Sequence, residues 1–231
     1  MSQSLILASG SPQRREILGR LGMPFGVEPS DIDETPHAGE GPEELAARLA
    51  LAKAREVVAR HTDGLVIGAD TVVWRGGRLF GKPRDRAEAV AMLRQLRDGQ
   101  HLVVTGLAVV RASDGAERVT TVPAAVVMRD YSDAEIERYV DTGEPLDKAG
   151  AYGAQGEGAR LIERIDGPFL TVVGLPLDQL APLLRELGLS RFIEGLAPPH
   201  VVTDSQLEAE YREAAQDVDA EREAWEWIEA N

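Results

Sequence analysis

Short apolar runs at residues 5–8 and 65–67 are bounded by turn residues, a pattern that predicts buried strands. The first leads into Ser9-Gly10-Ser11-Pro12. Ser11 suits a helix N-cap and Pro12 the first helical position, so a helix is expected to about Leu21, closed by Gly22. A brief strand is expected at 25–27 and a polar loop over 29–41. Across 42–61, Leu45, Leu49, Ala52 and Val57 fall on roughly one face, which predicts an amphipathic helix. The run at 65–67 ends at Gly68-Ala69-Asp70-Thr71. Residues 72–74 and 78–80 then flank Arg75-Gly76-Gly77, a hairpin signal.

A helix is expected over 84–97, then strands at 102–111 and 118–128 joined by a turn at Asp114-Gly115. Ser132-Asp133-Ala134-Glu135 has capping-box spacing and starts a helix through Val140. Residues 144–158 are glycine-rich and read as a long functional loop. Strands are expected at 159–165 and 171–173, and a last core helix at 176–187. Helices and strands alternate, yet hairpins join several strands, which argues for an α/β fold with a mixed twisted sheet and flanking helices. No internal repeat is present. Ala197-Pro198-Pro199 marks a break, placing one domain at 1–190 and an acidic extension at 191–231. In the extension, Leu207, Tyr211, Ala214, Val218, Trp225 and Ile228 recur at helical spacing. That predicts a structural amphipathic helix with an acidic outer face, packed on its own domain or on a partner subunit.

Composition narrows the function. Hydrophobic residues make up 43% of the 231 and charged residues 28%, an ordinary soluble balance. No apolar run reaches the roughly 18 residues of a membrane span. The amino-terminal apolar run is short and precedes its basic pair, unlike a secretory signal. There is no cysteine, hence no disulfide and no thiolate metal site. These features fit the cytoplasm. The net charge of −14 speaks against duplex nucleic acid, where affinity rests on cations against phosphates. Of that charge, −8 lies in residues 204–231, leaving −6 for the rest. A phosphorylated substrate would therefore need a local cluster of cations.

Ser9-Gly10-Ser11, with Arg14 just beyond, sits between a strand and a helix start. Helix N-termini hold phosphate through unpaired N–H groups and partial positive charge, although the same residues also suit an ordinary capped turn. Asp70 follows a buried strand, and a carboxylate at such a strand's carboxyl end faces the crevice where open α/β sheets bind ligands; it also suits a turn. Glu34 lies in the acidic loop Asp31-Ile32-Asp33-Glu34. Two carboxylates brought together can hold Mg²⁺, with water and phosphate oxygens completing its shell. Lys53 neighbours Leu49 and Val57 on the helix grid, which places its amine near the core edge. Lys82 is followed by Pro83, which fixes the chain beside it. His37, His61, His101 and His200 lack metal-ligand spacing and read as surface residues. No P-loop and no Gly-x-Ser-x-Gly elbow is present. What remains is a phosphate cradle, two lysines and two acids, a set that fits metal-assisted attack of water on phosphorus.

Several segments together resemble the Maf family, also called septum-formation-inhibitor-like proteins. They are Leu7-Ala-Ser-Gly-Ser-Pro12, Gly68-Ala-Asp-Thr71, Gly81-Lys-Pro83, Glu144-Pro-Leu-Asp-Lys-Ala-Gly-Ala-Tyr-Gly153, Gln155-Gly156 and Val172-Val-Gly-Leu-Pro176. The resemblance implies an inosine-triphosphate-pyrophosphatase-like fold with two lobes around a cleft, and usually a homodimer. It implies hydrolysis of nucleoside triphosphates to monophosphate and pyrophosphate with Mg²⁺ or Mn²⁺. It implies that Asp70 is general base or metal ligand, that Glu34, Lys53 and Lys82 complete the polar site, and that Ser9, Ser11 and Arg14 hold phosphate. One branch of the family prefers dTTP and UTP, with Arg, Thr and Gln at three positions; another prefers 7-methyl-GTP, with Trp, Gln and Glu. Here those positions are Gln13, Thr71 and Gln155, two of the three matching the pyrimidine branch. Gln13 is the departure, and Arg15 lies about 200° around the helix from it, so it is not expected to substitute. The competing reading is a regulator of cell division that binds a nucleotide or a protein partner without turnover.

Overall fold

The computed structural model describes residues 4–189. Seven strands form one mixed sheet: β1 (Leu5–Leu7), β2 (Gly26–Val27), β3 (Leu65–Arg75), β4 (Arg78–Phe80), β5 (Gln100–Arg111), β6 (Glu117–Met128) and β7 (Ile162–Asp166). Their order is β2-β1-β3-β5-β6-β7, with β4 pairing to β3. β1 is parallel to both of its neighbours; the remaining pairs are antiparallel. The helices are α1 (Pro12–Gly19), α2 (Pro42–Val58), α3 (Arg86–Leu96), α4 (Asp133–Asp141), α5 (Phe169–Val173) and α6 (Leu177–Glu186). No helix among the described residues is long and apolar enough to cross a membrane.

Alternation along the strands sends successive side chains to opposite faces of the sheet. Ile6, Val66, Val72, Val104 and Ala108 face α2, whose Leu45, Leu49, Ala50, Ala54 and Val57 cover them. The other face carries two apolar clusters. One joins Leu7, Ile67, Ala69 and Leu107 to α1, α5 and α6. The second joins Val73, Val103, Val126 and Met128 to α3 and α4. These are the two lobes, built on one sheet.

Helix α2 lies unusually close to the strands beneath it. A Cβ at Gly68 would stand 2.0 Å from the Ala50 carbonyl oxygen, and one at Gly106 would stand 2.1 Å from that of Ala46. Both positions therefore exclude any side chain, which is the use of glycine where another backbone approaches.

Strand β3 differs from the expected short run. It continues through Asp70 to Arg75 because β5 supplies an antiparallel partner for each residue from Leu65 to Trp74. Asp70 is therefore within β3 and not at its carboxyl end. It is β1 that stops, after Ala8 N donates to Ile67 O at 2.8 Å. β4 rejoins the same edge only from Val73. Residues 68–72 thus have no strand partner on that edge among the described residues, and the crevice opens there.

Three further expectations change. Residues 171–173 belong to helix α5, not to a strand. Their β-branched side chains suggested extended chain, but Pro168 precedes the helix and Gly174 closes it at φ 112°, a left-handed conformation that glycine adopts without strain. Residues 156–161 form a 3-10 turn, so β7 begins only at Ile162. His101 is not on the surface: it lies in β5 with 3% exposure. The helix expected at 207–228 lies outside the described residues.

Gly68→Ala should lower stability by about 1–3 kcal/mol, the usual scale of overpacking. Urea unfolding of the variant against wild type measures this. A midpoint equal to wild type would show that α2 can move away at no cost.

Candidate active site

Lys53 projects from the buried face of α2 and is 8% exposed. Its Nζ lies 2.6 Å from Asp70 Oδ1 and 2.6 Å from Glu34 Oε1. A buried ammonium is tolerated only when paired, and here two carboxylates pair it. Asp70 is 7% exposed, whereas Glu34 comes in from an exposed loop. That loop is anchored at its middle, because Ile32 packs against the cluster of Leu45, Leu49 and Val72. Arg48 fixes its far end by donating to both Glu40 carboxylate oxygens, at 2.6 and 2.8 Å, and to Thr35 O at 3.1 Å. The guanidinium holds the Glu40 pKa down at about 2.

The turn before α1 forms the second part. Ser11 caps the helix, its Oγ accepting from Arg14 N at 3.4 Å and donating to Gln13 Oε1 at 3.1 Å. Ser9 is buried, and its Oγ accepts from Ser11 N and Arg14 Nη1. Ser9 lines the cavity, and its hydroxyl proton has no acceptor among the described residues. Arg14 is held on three sides: Nε donates to Gly174 O at 2.9 Å, Nη1 to Ser9 Oγ at 3.1 Å and Nη2 to Thr71 Oγ1 at 3.1 Å. Burial lowers the Arg14 pKa from its ordinary value, and the charges of Asp70 and Glu34 oppose that shift. Arg15 is exposed and does not face the cavity.

The glycine-rich segment 144–158 is the third part. Glu144 organises it: Oε1 accepts from Tyr139 Oη at 3.0 Å and Gly158 N at 3.2 Å, and Oε2 from Glu157 N at 3.1 Å. Tyr139 Oη in turn accepts from Gly153 N at 3.1 Å. Gln155 stands inside this bracket. Its Nε2 is buried with no hydrogen-bond partner among the described residues. Tyr152 reaches into the sheet, where its hydroxyl meets His101 Nε2 at 2.6 Å. Gly150 N donates to Gly81 O at 3.0 Å and so ties the segment to the backbone beside Lys82, which is exposed and followed by the buried Pro83.

All the residues singled out from the sequence, namely Ser9, Ser11, Gln13, Arg14, Glu34, Lys53, Asp70, Thr71, Lys82 and Gln155, line one cavity of about 920 Å³. Its apolar end is walled by Val73, Leu79, Phe80, Val103 and Tyr152. Sequence reasoning gave no role to Glu144, Tyr152 or His101. The alternation of β5 places His101 two residues before Val103, on the same inward face, and that was the available signal. Among the described residues, no group of three or more His, Cys, Asp or Glu side chains could hold a metal ion.

Fold and site define an α/β protein with a charged cleft at an interrupted strand edge, of the shape that binds phosphorylated ligands. The chain belongs to the Maf-like protein family, whose model matches residues 4–187. It is 52% identical over 185 residues to a dTTP/UTP pyrophosphatase of Moorella thermoacetica, covering 80% of this chain and 95% of that one. It is 44% identical over 191 residues to a dTTP/UTP pyrophosphatase of Dictyoglomus turgidum, covering 82% and 99%. A dTTP/UTP pyrophosphatase of Methanosarcina barkeri is 45% identical over 196 residues, covering 84% and 100%.

The His101–Tyr152 contact makes a prediction about pH. Burial lowers the His101 pKa from 6.5 to about 4, so the folded chain holds it neutral. Below about pH 6.5 the unfolded chain binds a proton that the folded chain refuses, so stability falls as pH drops from 6.5 to 4. Denaturant unfolding at pH 7, 5.5 and 4.5 should show a steeper loss in wild type than in His101→Gln. Parallel pH profiles would mean that His101 does not titrate in this way.

Proposed function

We propose that this chain hydrolyses nucleoside triphosphates to the monophosphate and pyrophosphate, with dTTP and UTP as preferred substrates. The observation that carries the reading is the burial of Lys53 between Asp70 and Glu34, beside a serine-lined helix start and in a cavity that is apolar at its other end. The names of the relatives support the substrate class.

In this reading the triphosphate lies along the N-terminus of α1, where backbone N–H groups and the Ser9 hydroxyl donate to phosphate oxygens. Lys53 holds Asp70 through Oδ1, and Asp70 Oδ2 takes the proton of the attacking water. The water oxygen bonds to the α-phosphorus, the bond to the β-bridging oxygen breaks, and pyrophosphate leaves. Lys82, at the exposed mouth, neutralises charge on the departing group. Glu34 and Asp70 would hold a divalent cation, Mg²⁺ or Mn²⁺. Lys53 Nζ stands where these carboxylates meet, so such an ion would take the carboxylate oxygens that the amine leaves free, with substrate oxygens and water completing its shell. When bound, the cation offsets the negative charge of the phosphates.

The base faces the apolar end, where Gln155 offers the buried amide that lacks a protein partner. A glutamine amide can donate to and accept from a pyrimidine edge. Gln13, bound to Ser11, leaves the cradle one cation short of the family pattern. The same reading takes residues 1–190 as the catalytic domain of a cytoplasmic homodimer, with 191–231 as a non-catalytic extension. The net charge of −14 supports the exclusion of duplex nucleic acid as a partner.

Asp70→Asn should lower kcat by about 10²-fold or more while preserving the fold, the scale of a lost general base. Turnover near the wild-type rate with Mg²⁺ present would remove Asp70 from this role. In ¹⁸O-water the label should enter the nucleoside monophosphate; label confined to inorganic phosphate would mean attack at the γ position. On a panel of dTTP, UTP, ATP and 7-methyl-GTP, wild type should favour the pyrimidines, and Gln155→Glu should shift preference toward the cationic 7-methylguanine. An equal fall for all four nucleotides would sink the role of Gln155 in base selection.

A further inference from the structure

Thr71 of β3 and Thr105 of β5 are direct register partners. They lie at a seam. On this face of the sheet, Ala69 and Leu107 to one side belong to the lobe of α1, α5 and α6, while Val73 and Val103 to the other belong to the lobe of α3 and α4. A polar pair in an otherwise apolar strip has to satisfy its hydroxyls locally, and Thr105 is 0% exposed.

The directions of these hydrogen bonds can be assigned. Thr105 Oγ1 lies 2.7 Å from the Thr171 carbonyl oxygen, which can only accept, so the single Thr105 proton is donated there. Thr71 Oγ1 lies 2.9 Å from Thr105 Oγ1, so Thr71 must be the donor of that bond. Its own proton is then in use, and its oxygen can only accept. Arg14 Nη2, at 3.1 Å, donates to it. Gly174 closes the arrangement, since a Cβ there would stand 3.0 Å from Thr71 Oγ1 and 3.3 Å from Arg14 Nε.

We propose that Thr105 is a positioning residue. Through Thr71 it fixes the Arg14 guanidinium at the phosphate cradle, and Thr71 acts on the substrate through Arg14 and not by hydrogen-bonding the base. The inference rests on the pyrophosphatase reading for its substrate. Its geometry requires only that a polyphosphate bind at the cradle.

The test compares full-length Thr105→Val, which keeps the shape and removes the hydroxyl, with Thr105→Ser, which keeps the hydroxyl. Tripolyphosphate binding is measured by calorimetry and turnover by steady-state kinetics on dTTP, UTP and 7-methyl-GTP. Thr105→Val should weaken tripolyphosphate binding by up to about tenfold, the scale of one hydrogen bond between neutral groups. It should raise KM by a similar factor for all three nucleotides, with kcat less affected and the preference among them unchanged. Thr105→Ser should restore wild-type behaviour. In a Thr71→Val background, Thr105→Val should add little, because both changes break one chain of bonds. Should Thr105→Val fail to fold by circular dichroism, Thr71→Val alone carries the test, with the same uniform rise in KM expected.

Wild-type tripolyphosphate affinity in Thr105→Val would overturn the proposal. So would a change in nucleotide preference in Thr71→Val, which would place Thr71 against the base. A chain that binds tripolyphosphate in a Thr105-dependent way but hydrolyses no nucleotide would uphold the positioning role and overturn the pyrophosphatase reading.

Discussion

Helix α2 can approach β3 and β5 this closely only where those strands lack side chains, and the charged part of the site depends on that approach. Gly68 and Gly106 admit the Ala50 and Ala46 carbonyls at distances no Cβ would permit. Ala46, Ala50 and Ala54 keep the facing surface of the helix small. With the helix this near, Lys53 reaches Asp70 across the interface and not out toward solvent. A buried ion pair is weak evidence for stability, since desolvation offsets most of the attraction. What it does impose is mutual dependence. The amine is tolerable only if β3 and the Glu34 loop both present their carboxylates, and each carboxylate is oriented only because the amine is there.

The cleft itself follows from strand lengths. β1 ends after three residues and β4 starts late, so β3 is left with one partner over residues 68–72. An unpaired strand edge is normally a liability that proteins cover. Here α1, leaving the end of β1, brings its amino terminus to the gap, and the 144–158 segment closes over the other side. The two apolar clusters on the face of α5 and α6 divide at the same level. The cavity is therefore an interruption shared by the sheet edge and the core, with walls fixed by secondary structure on each side. Such preorganisation lets polar groups act without rearranging during reaction.

Much of this was legible in the sequence. The alternation of helices and strands, the capped turn at Ser11-Pro12 and the placement of Lys53 on the apolar stripe of α2 all followed from periodicity and capping chemistry. The expected cluster of acids, lysines and serines falls in one cavity. The misses have separate causes. Asp70 looked like the end of a strand because Gly68-Ala69-Asp70-Thr71 has no strand character of its own; β5 imposes it through pairing. Residues 171–173 looked like a strand because Thr and Val favour one, and the flanking Pro168 and Gly174 overrode them. His101 looked exposed because its partner, Tyr152, is 51 residues away. For Asp70 the conformation is set by a distant partner that local pattern does not contain; for 171–173 and His101 the signal was local, in the flanking Pro168 and Gly174 and in the alternation of β5.

Asp70 and Thr71 are adjacent in β3. Consecutive residues of a strand point to opposite faces, so Asp70 turns toward α2 and Lys53, and Thr71 toward Thr105 and Arg14. The Lys53–Asp70 ion group and the Arg14 guanidinium are thus held by different packings on the two sides of one strand, and both line the cavity at that strand's open edge. A slip of one residue in the β3–β5 register would exchange the two faces and abolish both. The long antiparallel ladder from Leu65 to Trp74 guards against such a slip. The proposed base recognition belongs to neither face. Gln155, the residue proposed to read the base, stands in a separate segment braced by Glu144, while the sheet holds the ion group and the guanidinium.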